Sequence, residues 1–99
     1  MLGLVLVTHA PLGDAIAQCV RHVMGSLPDG LAVVDVPGDE DIEQSVQRIQ
    51  AAARQVHAGD GVVFLTDLFG ATPSNAAVRA GVESLNLPTV LVSGCNLPM

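Results

Sequence analysis

The chain has no lysine, no tryptophan and no tyrosine, and two phenylalanines are its only aromatic residues. With four arginines set against ten carboxylates, its formal net charge is −6. That argues against nonspecific nucleic-acid binding, which needs a basic face. An anionic group handled by such a protein must be held locally, by backbone N–H groups and a few placed side chains. With only two aromatics, the core must be built mainly from Val, Leu, Ile and Ala. Cysteine is scarce too: Cys19 and Cys95 form no Cys-x-x-Cys pair, and both are expected to be free, buried thiols. No apolar run approaches the length of a membrane span. No basic leader with an apolar stretch and cleavage site opens the chain, so the expectation is an unexported protein. Charged residues make up only 14%, few for a small soluble domain, which hints at surface covered by a partner.

What is present in 99 residues is one domain's worth of alternating strand and helix signals. Apolar, β-branched runs at Leu2–Thr8, Leu31–Val36, Val62–Thr66 and Thr89–Ser93 predict four buried strands. Between them, Leu12, Ile16, Cys19, Val20, Val23 and Leu27 recur at helical spacing. Ile42, Val46, Ile49, Ala53 and Val56 do the same in a second helix, after the acidic turn Pro37–Asp41. Ala76, Ala77, Ala80 and Gly81 mark a third helix with a close-packing face. The order β-α-β-α-β-α-β, with no hairpin turns, predicts an open parallel sheet with helices on both faces in three α/β/α layers.

Two strand tips carry the chemistry. The first strand delivers His9, and the third delivers Asp67. After Asp67, Gly70 and Ala71 leave the backbone nearly bare, and Thr72-Pro73 opens a helix with an N-capping hydroxyl and a first-turn proline. A strand tip, a small-residue turn and an open helix N-terminus make a socket for an anion. In open parallel sheets ligands bind beyond the carboxyl ends of the strands. His9 and Asp67 both fall there, although their contact requires the first and third strands to be neighbours. A carboxylate on one ring nitrogen fixes the imidazole tautomer and supports the positive charge that grows on the ring during nucleophilic attack. Phosphoryl transfer needs mainly positioning and charge stabilisation, which this small set of groups can supply.

Each residue has a plainer reading. His9 could be a turn residue, Asp67 a turn-forming acid at a strand end, and Thr72 a cap and nothing more. His22 and His57 are expected at the surface, and Asp39, Glu40 and Asp41 as solvated capping charges. A zinc site from His9 and Asp67 lacks a third ligand at a convincing spacing. No strand-tip serine occupies a Gly-x-Ser-x-Gly elbow.

The segments Val7-Thr8-His9, Thr66-Asp67-Leu68-Phe69-Gly70-Ala71-Thr72-Pro73-Ser74-Asn75 and Val92-Ser93-Gly94-Cys95-Asn96-Leu97-Pro98-Met99 resemble the mannose-family EIIA domain of the bacterial phosphotransferase system. The likeness runs through the whole chain, in order and at matching spacings. It implies a cytoplasmic phosphotransferase without a cofactor, accepting a phosphoryl group from phospho-HPr on Nε2 of His9 and passing it to an EIIB partner in sugar uptake or its regulation. It implies that Asp67 faces Nδ1, and that Gly70, Ala71, Thr72 and Ser74 hold the phosphoryl oxygens. It also implies the strand order 2-1-3-4, and a homodimer. Three departures stand out. Ala10-Pro11 replaces the Gly that often follows the His, Ala71 replaces a second Gly, and the family continues past Asn-Leu-Pro-Met with a helix and a strand. The expectation for residues 1–99 is a single EIIA domain without that extension. Three alternatives stay open: a regulatory protein read out through the phosphorylation state of His9, a dihydroxyacetone kinase phosphotransferase subunit, and a plain anion-binding module.

Overall fold

Four short runs of β-branched and aliphatic residues pair side by side. The computed structural model describes residues 3–56, 61–67, 75–79 and 89–92. Strands β1 (Gly3–His9), β2 (Leu31–Val36), β3 (Val62–Thr66) and β4 (Thr89–Val92) alternate with helices α1 (Leu12–Met24) and α2 (Ile42–Val56), and residues 75–79 are helical. All strand pairs are parallel, in the order β2-β1-β3-β4. Leu6 of β1 sits opposite Val33 of β2 and Leu65 of β3, so the tips of β1 and β3 lie next to each other. The adjacency that residue patterns alone left open is thereby supplied.

The two faces of the sheet are packed differently. Val5 and Val7, Val34 and Val36, Val62 and Phe64 point to one face, where Val46, Ile49, Ala52, Ala53 and Val56 of α2 and the helical Ala76 and Ala77 complete the core. The predicted α2 stripe is the buried one. Its N-terminus is capped by Asp41, whose carboxylate accepts the Glu43 N–H at 3.4 Å. Glu40 departs from the solvated charge expected of it. Its carboxylate accepts bonds from the Ser45 hydroxyl at 2.6 Å and from Arg48 at 2.7 and 2.8 Å. The Arg79 guanidinium pairs with Glu43 and ties residues 75–79 to α2.

Helix α1 covers the other face, and here the periodicity misleads. Its buried residues are Gly13 and Ala17. Leu12, Ile16 and Val20 are only partly covered, Val23 is 82% exposed, and Cys19 is exposed and free instead of buried. The cause is close approach: a Cβ on Gly13 would stand 2.5 Å from Asp35 Oδ1, 2.7 Å from Thr8 Oγ1 and 2.8 Å from Val33 Cγ1. Small residues therefore form the contact, and the larger apolar side chains are turned outward. The helix also ends before Leu27, because Gly25 adopts the left-handed conformation at φ 86° and donates its N–H to the Arg21 carbonyl at 2.7 Å. His22 is exposed, as expected; His57 and Cys95 lie outside the described residues.

Candidate functional site: a strand-tip histidine and its carboxylate

His9 is the last residue of β1, and Asp67 directly follows β3. The last β1–β3 pair is Val7 with Thr66, so Asp67 lies one residue and His9 two residues beyond that ladder. One carboxylate oxygen, Asp67 Oδ2, lies 2.8 Å from His9 Nδ1 and accepts the His9 backbone N–H at 3.1 Å. The two bonds hold both the ring and the chain that carries it. The Asp67 side chain is 7% exposed and the His9 side chain 46% exposed. The carboxylate is thus shielded while the imidazole remains open to a partner.

The acceptor on Nδ1 decides the chemistry. A carboxylate can only accept from the neutral ring, so the ring proton resides on Nδ1 and the lone pair on Nε2. Nε2 has no hydrogen-bond partner among the described residues. When Nε2 attacks an electrophile, positive charge grows on the ring 2.8 Å from the Asp67 oxygen, where it is stabilised by a group already in place. This geometry fits a nucleophile held by an orienting carboxylate.

The remaining predicted site residues, Gly70, Ala71, Thr72 and Ser74, lie outside the described residues. Among the described residues, no group of three or more His, Cys, Asp or Glu could hold a metal ion. In the same residues no helix is long and apolar enough to cross a membrane.

Sequence reasoning missed a second carboxylate. Asp35, within β2, accepts the Thr8 hydroxyl at 3.1 Å, the Gly13 N–H at 2.8 Å and the Asp14 N–H at 3.0 Å. It closes the N-terminus of α1, where Pro11 provides no side-chain cap. Its signal in the sequence is faint: one acid inside an otherwise apolar strand, register-paired with Thr8, the one polar residue of β1 besides His9.

The chain is thus an open parallel α/β domain with a histidine–carboxylate pair at the carboxyl edge of its sheet. The chain belongs to the EIIA-man family, described as the PTS system fructose IIA component, whose family model matches residues 3–99. Membership places it among the IIA components of the phosphotransferase system, in which phosphoryl transfer is the general chemistry. The PTS system mannose-specific EIIAB component of Escherichia coli K12 is 26% identical over 98 residues, 99% of this chain. The chain spans 29% of the length of that relative. Among solved structures, the phosphotransferase system component EIIA from Streptococcus agalactiae superposes with a TM-score of 0.75 at 23% identity, covering 97% of this chain and 71% of the other. The PTS IIA protein associated with the fucose utilization operon from Streptococcus pneumoniae gives 0.77 at 19%, covering 96% and 70%. These structural likenesses establish the fold; the strand order is read from the strand pairings themselves.

Proposed function

We propose that the chain is a phosphoryl carrier whose acceptor is Nε2 of His9. The donor is the phosphohistidine of HPr and the recipient an EIIB-type protein; the E. coli relatives, named EIIAB components, support a B-type partner. In the forward step the Nε2 lone pair forms a bond to phosphorus. The P–N bond of the donor breaks, its electron pair returns to the donor imidazole, and the His9 ring becomes cationic with its proton kept on Nδ1. Asp67 orients the ring and stabilises that cation without being phosphorylated. Gly70, Ala71, Thr72 and Ser74 are assigned to the phosphoryl oxygens, in a chain that has no lysine to do so. No cofactor takes part, and the setting is cytoplasmic. The single observation carrying this reading is the 2.8 Å bond from the half-exposed His9 ring to a shielded carboxylate.

The family match favours this reading over the dihydroxyacetone kinase subunit. Incubation with phosphoenolpyruvate, enzyme I and HPr tests it. Wild-type chain should take up acid-labile phosphate, and His9→Ala should take up none while remaining folded. Label on the His9→Ala variant, or on His22 or His57, would sink the assignment. Labelled chain that discharges to no EIIB-type protein would instead favour the regulatory role.

A further inference from the structure

We infer that Asp35 is a positioning residue for His9, acting through the β1–α1 loop. The proposal rests on His9 being the acceptor, but its geometry stands apart from that reading. Strand β1 lies between two neighbours, and each contributes one carboxylate to the His9 region: Asp67 after β3 and Asp35 within β2. Asp67 touches the ring. The Asp35 side chain makes no hydrogen bond to His9, yet it holds residues on both sides of it. On the upstream side it accepts the hydroxyl of Thr8, which is fully buried. On the downstream side its two oxygens accept the N–H groups of Gly13 and Asp14, one from each. Between these anchors the Ala10 N–H donates to the Val36 carbonyl at 3.1 Å. The six-residue passage from Thr8 to Gly13 is thereby tied to β2 at both ends and in the middle.

Gly13 shows how closely this clamp is built, since any Cβ there would overlap both Asp35 Oδ1 and Thr8 Oγ1. The clamp also fills the first turn of α1. Gly13 and Asp14 give their N–H groups to Asp35, and Ala15 gives its own to the Pro11 carbonyl at 3.1 Å. Those donors are therefore not offered to a phosphoryl oxygen near His9.

Two variants, Asp35→Ala and Asp35→Asn, are read out by rate and by spectroscopy. Misplacing a reacting group by about 1 Å can cost on the order of a hundredfold in rate. Loosening the loop should therefore slow labelling of Asp35→Ala by about tenfold or more per folded molecule, with Asp35→Asn between it and the wild type. The discriminating readout is the His9 imidazole in 15N-resolved NMR, which needs no phosphoryl donor. Wild type should show the neutral ring protonated at Nδ1, and both variants should shift population toward the Nε2–H form. A folded Asp35→Ala protein with the wild-type tautomer and labelling rate would overturn the proposal, leaving Asp35 a helix cap only. If Asp35→Ala fails to fold, Asp35→Asn decides alone by the same criteria. Wild type that is never labelled would defeat the acceptor reading, while the tautomer comparison would still decide the role of Asp35.

Discussion

Replacing Asp67 by Asn keeps the size of the side chain and removes its charge. The cost can be worked from the geometry. As His9 Nε2 attacks, a full positive charge develops on a ring whose Nδ1 is 2.8 Å from Asp67 Oδ2. At that separation the attraction is about 6 kcal/mol at an effective dielectric of about 20 and about 1.5 kcal/mol in bulk water. The ring is 46% exposed while the carboxylate is 7% exposed, so the relevant value lies between those limits. Roughly 3 kcal/mol of transition-state stabilisation corresponds to about a hundredfold in rate. The asparagine has a second defect. If its amide nitrogen takes the Oδ2 position, it faces two donors, the ring N–H and the backbone N–H of His9. The neutral ring then favours the other tautomer, which withdraws the Nε2 lone pair. We therefore expect single-turnover labelling of Asp67→Asn by phospho-HPr to fall by about two orders of magnitude or more. Quench-flow at saturating donor isolates the transfer step from docking. A rate within twofold of wild type would refute the electrostatic role and leave Asp67 a structural acid.

Gly13→Ala should destabilise the fold by about 1–3 kcal/mol, as overpacking does, because its Cβ would overlap the Asp35–Thr8 contact; denaturant titration would show it, and unchanged stability would mean that α1 shifts freely. The Ser45 hydroxyl, followed by the Arg48 guanidinium, holds the Glu40 carboxyl below the usual glutamate range against the opposing effect of burial. Its stabilisation is then complete above the unfolded value of about 4.3 and is lost as pH falls through the lower folded value. Glu40→Gln should thus be less stable than wild type at pH 7 and converge with it at strongly acidic pH; a stability gap independent of pH would contradict the assignment. Val90 and Val92 are 57% and 42% exposed, opposite the half-buried Val63 and Leu65 on the same face of the sheet. With about half of each side chain already covered, burying the rest of both is worth about 1.5–3 kcal/mol, so we expect this 99-residue chain to self-associate at micromolar concentration. Analytical ultracentrifugation should detect that and show Val90→Glu shifted to monomer; a strictly monomeric wild type with a sharp thermal transition would refute it.

The parallel sheet was legible because its strands are continuous apolar runs, and α2 because its buried positions are bulky enough to register as a stripe. Helix α1 was misread for the converse reason. It docks through Gly13 and Ala17, residues too small to weigh in a hydrophobic pattern, while Val23 and Cys19 fit the period and face outward. Residue patterns placed His9 and Asp67 at strand tips but could not order the strands; the strand order came from family resemblance and appears in the fold. Asp35 escaped notice because its three partners lie 21, 22 and 27 residues away. Glu40 reads as a solvated charge in the sequence because Arg48, eight residues on, gives no local sign of pairing. Local chemistry was readable, and contacts across elements were not.

In the proposed function, one nitrogen of one residue carries the phosphoryl group. Chain charged by phosphoenolpyruvate, enzyme I and HPr can be examined by 31P and 15N NMR with selectively labelled histidine. The geometry at Nδ1 predicts a single phosphohistidine, assigned to His9, with phosphorus coupled to Nε2 and the proton retained on Nδ1. Phosphorus on Nδ1 of His9, on another histidine, or on the Asp67 carboxylate would contradict it.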